Sequence, residues 1–85
     1  MSLHIDKVSE LLQEVGLKIH LKIPKSISTR WDIYTIRTLP EKALVGELRH
    51  TSGQGIKTQT SIDLLEEFTP NQVQLDVIKR IQSTN

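Results

Sequence analysis

The pattern of this chain predicts an α+β fold of two layers: a helix, a four-stranded antiparallel meander and a second helix, with both helices packed on one sheet face. Three observations point there. Apolar residues recur every three to four positions near both ends, the period changes to two at Leu17, and turn-forming residues punctuate the middle at short intervals. Elements with one apolar side each must bury those sides against one another, and two helices over one sheet is the simplest solution.

The first helix is expected over residues 3–15. Ile5, Val8, Leu11, Leu12 and Val15 make one stripe, with Asp6, Glu10 and Glu14 on the opposite side. Asp6 suits the positive end of the helix dipole, and Gly16 can take the left-handed conformation that ends a helix. Leu17 to Ile23 then alternates without a fault. Leu17, Ile19, Leu21 and Ile23 are expected to face a core, and Lys18, His20 and Lys22 to face water. Pro24 stops this strand because it cannot donate to a ladder, and residues 24–30 read as a polar loop.

Trp31–Leu39 is rich in β-branched and aromatic residues and reads as the second strand. Leu39-Pro40-Glu41-Lys42 is expected to form a type I turn, Ala43–Thr51 a third strand, and Ile56–Ile62 a fourth. A turn centred on Pro40 and Glu41 sets Ile33 against Leu48 and Asp32 against Arg49. A three-residue loop, Ser52-Gly53-Gln54, sets Leu48 against Thr58 and Leu44 against Ile62, which keeps one face apolar. Ser61 is read as the cap of a short helical turn reaching Glu67.

The last helix carries the strongest local signal. Thr69-Pro70-Asn71-Gln72 offers a threonine cap, proline at the first helical position and glutamine three residues on. Phe68 is placed to pack on Val73 as a hydrophobic staple. Val73, Val77, Ile78 and Ile81 form the buried stripe, and Lys79 and Arg80 suit the negative end of the dipole.

At 85 residues, one domain over 1–85 is the natural reading. Trp31, Tyr34 and Phe68 are the only aromatics, so the core must be aliphatic and thin, and burial against a second copy would help; a homodimer is the expectation. The absence of cysteine excludes disulfides, thiolate nucleophiles and thiolate metal sites, and favours a reducing compartment. The stretch Met1 to Asp6 has no basic segment leading into an apolar run, and no apolar run approaches the ~18 residues of a membrane span. A cytoplasmic protein with no membrane association is expected.

The net charge is +1, but its distribution is uneven: residues 18–60 hold eight basic groups against three acids, while the ends are acidic. On the register above, the helix-free sheet face carries Lys18, His20, Lys22, Asp32, Tyr34, Ile36, Glu47, Arg49, Lys57 and Gln59, with Arg49 directly opposite Lys57. Tyr34, Ile36, Ala43 and Val45 would form an apolar strip there, and an exposed strip of that kind marks a partner surface. Basic groups around a tyrosine are also the means of holding phosphates and stacking a base.

Other motifs carry less. Ser52-Gly53-Gln54-Gly55 lacks the lysine and the helix start of a phosphate-binding loop and reads as a hairpin connection. His4, His20 and His50 have no metal spacing, with His20 outward and His50 toward the helices. No nucleophile or acid–base constellation stands out, and no cofactor is implied. The expected function is that of a non-enzymatic protein-interaction or regulatory module, a homodimer or adaptor working through the free sheet face or an edge. The alternative is a nucleic-acid-binding domain using the same basic face. The expected binding residues are Lys18, Lys22, Tyr34, Ile36, Val45, Arg49 and Lys57.

Overall fold

The computed structural model describes residues 3–83; Met1 and Ser2, where the reading for a signal sequence begins, lie outside them. The order is α1 (Ile5–Glu14), β1 (Leu17–Ile23), β2 (Asp32–Thr38), β3 (Leu44–Gly53), β4 (Ile56–Leu64) and α2 (Gln72–Ser83). The strands form one antiparallel sheet in the order β1-β2-β3-β4, so β1 and β4 are its edges. α1 packs against β1, α2 against β4, and the two helices touch each other. This is the α+β arrangement that the periodicities predict.

The core lies between helices and sheet. α1 contributes Val8, Leu11 and Leu12, the sheet Leu17, Ile19, Ile36, Val45, Leu48 and Ile62, and α2 Ile78 and Ile81. Each such side chain contributes about 1.5–3 kcal/mol on burial, which is how a core without large rings holds the layers together. Gly16 ends α1 with φ +78° and turns the chain directly into β1.

Several local expectations are revised. α2 starts two residues later than the Thr69 cap implies. Asn71 Oδ1 accepts from the Gln74 amide at 2.8 Å while Gln74 Oε1 accepts from the Asn71 amide at 3.0 Å, so the reciprocal capping box is Asn71–Gln74. Val73 is consequently exposed, and Phe68 packs on the core instead of stapling it. Ser61 caps no helical turn, because β4 runs on to Leu64. The Lys42 amide donates to the Thr38 carbonyl at 2.7 Å and not to that of Leu39, so the β2–β3 connection is not the expected type I turn.

The register differs too. β2 and β3 pair as Tyr34–Leu48, Thr35–Glu47 and Ile36–Gly46, with a bulge that leaves Val45 as the extra residue before Arg37–Leu44. A one-residue offset turns every side chain of a strand to the other face. Ile36 is therefore fully buried, Val45 is buried and Tyr34 is half-buried against the core, and none of them belongs to an exposed strip. Burial pushes the Tyr34 phenol above its ordinary pKa, and the Asp32 and Asp6 carboxylates add to this. β3 and β4 pair four residues away from expectation, Leu48 with Ile62 around the turn Gln54-Gly55. Four is even, so the faces of β4 are unchanged, but Arg49 lies opposite Ser61 and not Lys57. In β1 a bulge at Lys22 sets Ile23 opposite Ile33, away from the helices, and leaves Leu21 about half exposed at the sheet edge.

Candidate functional site

The core and both helices lie on one side of the sheet; the second side we call the outer face, and the loop over residues 24–31 reaches one end of it, where Thr51 is buried and its hydroxyl donates to the Arg30 carbonyl at 2.7 Å. Cross-strand pairing fixes what it displays. One row runs His20, Thr35, Glu47, Asp63 across all four strands, and its neighbour runs Ile23, Ile33, Arg49, Ser61. At one end Lys18 stands opposite Arg37; at the other Thr51 stands opposite Gln59, with Lys57 two residues along β4. Five lysines and arginines thus share the outer face with two carboxylates. One of these, Glu47, is held by Lys22, whose Nζ lies 3.0 Å from Glu47 Oε2.

Of the seven residues that the sequence nominated, Lys18, Lys22, Arg49 and Lys57 are exposed on this face, while Tyr34, Ile36 and Val45 are on the helix side. Asp32 also leaves the outer face: it pairs with His50, and its Oδ1 accepts from the Lys25 amide at 2.8 Å. Three residues take their place. Trp31, immediately before β2, lies half-buried with the Arg49 guanidinium carbon 5.3 Å above its ring centroid, within cation–π range. Arg37 and Lys42 flank the opposite end. A signal for Arg37 was present in the sequence, since an arginine at a core-facing strand position is almost never buried unless paired.

Two clefts bracket the face. One of about 280 Å³ is lined by Lys18, His20, Arg37, Leu39 and Lys42. The other, of about 330 Å³, is lined by residues that include Arg30, Trp31, Lys57 and Gln59. They lie at opposite ends of the strands, and the six residue steps from Trp31 to Arg37 span about 20 Å at the rise of an extended chain. Chemically the surface offers planar π area at one end, cations at both, and between them hydroxyls, two isoleucines and the Glu47 and Asp63 carboxylates.

On the helix side, His50 is buried. Its Nδ1 is 2.8 Å from Thr60 Oγ1, and its Nε2 meets no partner among the described residues. Burial pulls its pKa below the ordinary value, outweighing the Asp32 carboxylate, which acts the other way; His4 and Lys25 add to the lowering. Among the described residues no group of three or more His, Cys, Asp or Glu is placed to hold a metal ion, and no helix is long and apolar enough to cross a membrane.

Fold and face together define a small α+β structure with helices on one side of the sheet and a basic second side that the loop over residues 24–31 touches at one end. In comparisons with protein-family models, curated proteins and solved structures, no match is found for this chain.

Proposed function

We propose that this protein is a non-enzymatic, intracellular binding module for single-stranded nucleic acid, which it holds across the outer face of the sheet. The observation that carries this reading is the coincidence of a basic sheet face opposite the helices with a Trp31–Arg49 stack at one end of it. Phosphates would meet Lys18, Arg37, Arg49 and Lys57, while Trp31 offers the stacking surface for a base; neither contact needs a particular sequence. The protein-interaction reading relied on a strip of Tyr34, Ile36, Ala43 and Val45 or on a sheet edge; Ile36 and Val45 are buried and Tyr34 is half-buried, which leaves the edge as its support. Trp31 is the only tryptophan in the chain, so its fluorescence reports directly on stacking. Titration with a short oligothymidine at low salt should quench it, and Trp31→Leu should weaken binding by roughly 1–3 kcal/mol. No quench, with no retardation of the oligonucleotide, would remove the proposal.

A homodimer remains a second reading, now at the β1 edge. Leu21 is 48 % and Ile23 44 % exposed on a strand whose outer edge has no neighbour in the sheet. Sedimentation equilibrium should return a dimer mass that Leu21→Lys reduces to a monomer; a monomer mass for the unmodified chain across a hundredfold concentration range would exclude it.

A further inference from the structure

We propose that the cleft between the start of β1 and the β2–β3 turn is a binding site for a phosphate monoester. It is lined by Lys18, His20, Arg37, Leu39 and Lys42, at about 280 Å³. Three of those five carry fixed positive charge, and none of the three makes an ion pair among the described residues. Lys18 and Arg37 are direct cross-strand neighbours, a like-charge pairing that lowers stability unless an anion lies between the two groups. The Arg37 Nη1 donates to the Lys42 carbonyl at 3.0 Å, which ties the guanidinium to the turn and leaves its remaining N–H groups as donors.

Lys42 adds an independent observation. Its φ is +62°, and it is the one non-glycine residue of positive φ among those described. A side chain that the backbone disfavours thus stands at the rim of a cationic cleft. A dianionic monoester uses three cations more fully than a singly charged diester does, and the cleft lies at the low end of small-ligand pocket sizes. The site does not depend on the nucleic-acid reading, because a seated monoester needs no strand across the sheet. Its source is either the terminal phosphate of a strand or a free phosphorylated small molecule.

The test titrates the full chain by amide NMR and fluorescence with four probes: inorganic phosphate, thymidine monophosphate, and oligothymidine ending in either a 5′-phosphate or a 5′-hydroxyl. Inorganic phosphate should move the amides of Lys18, Arg37 and Lys42. At least one organic monoester should bind about tenfold more tightly than its unphosphorylated counterpart, thymidine or the hydroxyl-ended strand. Lys42→Gly and Lys18→Gln should each erase that preference. Glycine suits the backbone at position 42, so Lys42→Gly should unfold at or above the temperature of the unmodified chain. A preference shown by the strand alone assigns the site to strand ends; one shown by the mononucleotide assigns it to free ligands. Equal binding of phosphorylated and unphosphorylated probes, or a preference that survives both substitutions, overturns the proposal. Binding of the hydroxyl-ended strand reads the proposed function alone.

Discussion

Ile36→Ala should be among the most damaging single changes in the sheet. Ile36 is fully buried, with Ile19 opposite it on one side and Gly46 on the other. The substitution deletes three carbons, about 2.4 kcal/mol of transfer free energy at ~0.8 kcal/mol per methylene. Gly46 has no side chain to collapse into the space, so a cavity term adds to this and brings the total to about 3–4 kcal/mol, within the range for isoleucine truncation in cores. In a domain of this size 1 kcal/mol moves the melting midpoint by about 4–8 °C, so the variant should melt at least about 12 °C lower. Ile33→Ala is the paired control. Ile33 is half-buried opposite Arg49 on the outer face, and its truncation should cost about 1 kcal/mol. Urea denaturation followed by far-UV circular dichroism measures both. A larger loss for Ile33→Ala than for Ile36→Ala would show that β2 presents its other face to the helices, and the description of the outer face would fail with it.

Two further predictions concern the helix side. Asn71→Ala should cost about 1 kcal/mol by loss of the cap, and Thr69→Ala much less, when the two are compared by chemical denaturation. Burial lowers the pKa of His50 in the folded state, so below its ordinary pKa the unfolded chain binds more protons there than the folded chain does. Its contribution is therefore fully present above pH ~6.5 and declines as pH falls from there toward the lowered folded value, by at most about 1.4 kcal/mol per pH unit. Denaturation at pH 7.5 and 5.5 should show this fall in the unmodified chain and a flatter profile in His50→Gln.

Periodicity made the elements and their order legible, because a helix and a strand bury apolar groups at different spacings. What it left open was the face of β2. The segment Asp32–Thr38 has isoleucine at both an odd and an even position, so alternation alone does not choose between Ile33 and Ile36. The choice is made by the bulge at Val45, which shifts the pairing by one residue and has no marker in the sequence. The α2 cap was ambiguous for a similar reason. Thr69–Gln72 and Asn71–Gln74 both satisfy the spacing of a capping box, and the buried stripe of Val77, Ile78 and Ile81 fits either start. Of the site, the basic residues of β1, β3 and β4 were readable because each strand has one clear polar side. Trp31 depended on the register of β2 and was not, and Arg37 was marked only by the rarity of a buried arginine.

The central claim, that the outer face binds single-stranded nucleic acid through its phosphates, is tested most directly by salt. Affinity for a fluorescent oligothymidine is measured by anisotropy from low to moderate potassium chloride and plotted as log K against log salt. Four phosphate contacts, at Lys18, Arg37, Arg49 and Lys57, predict a slope of about −3, from roughly −0.7 per contact on a single strand. Lys57→Ala should flatten that slope by about 0.7 with little dependence on base sequence. Absence of binding at low salt, or binding with a slope near zero, would contradict the account.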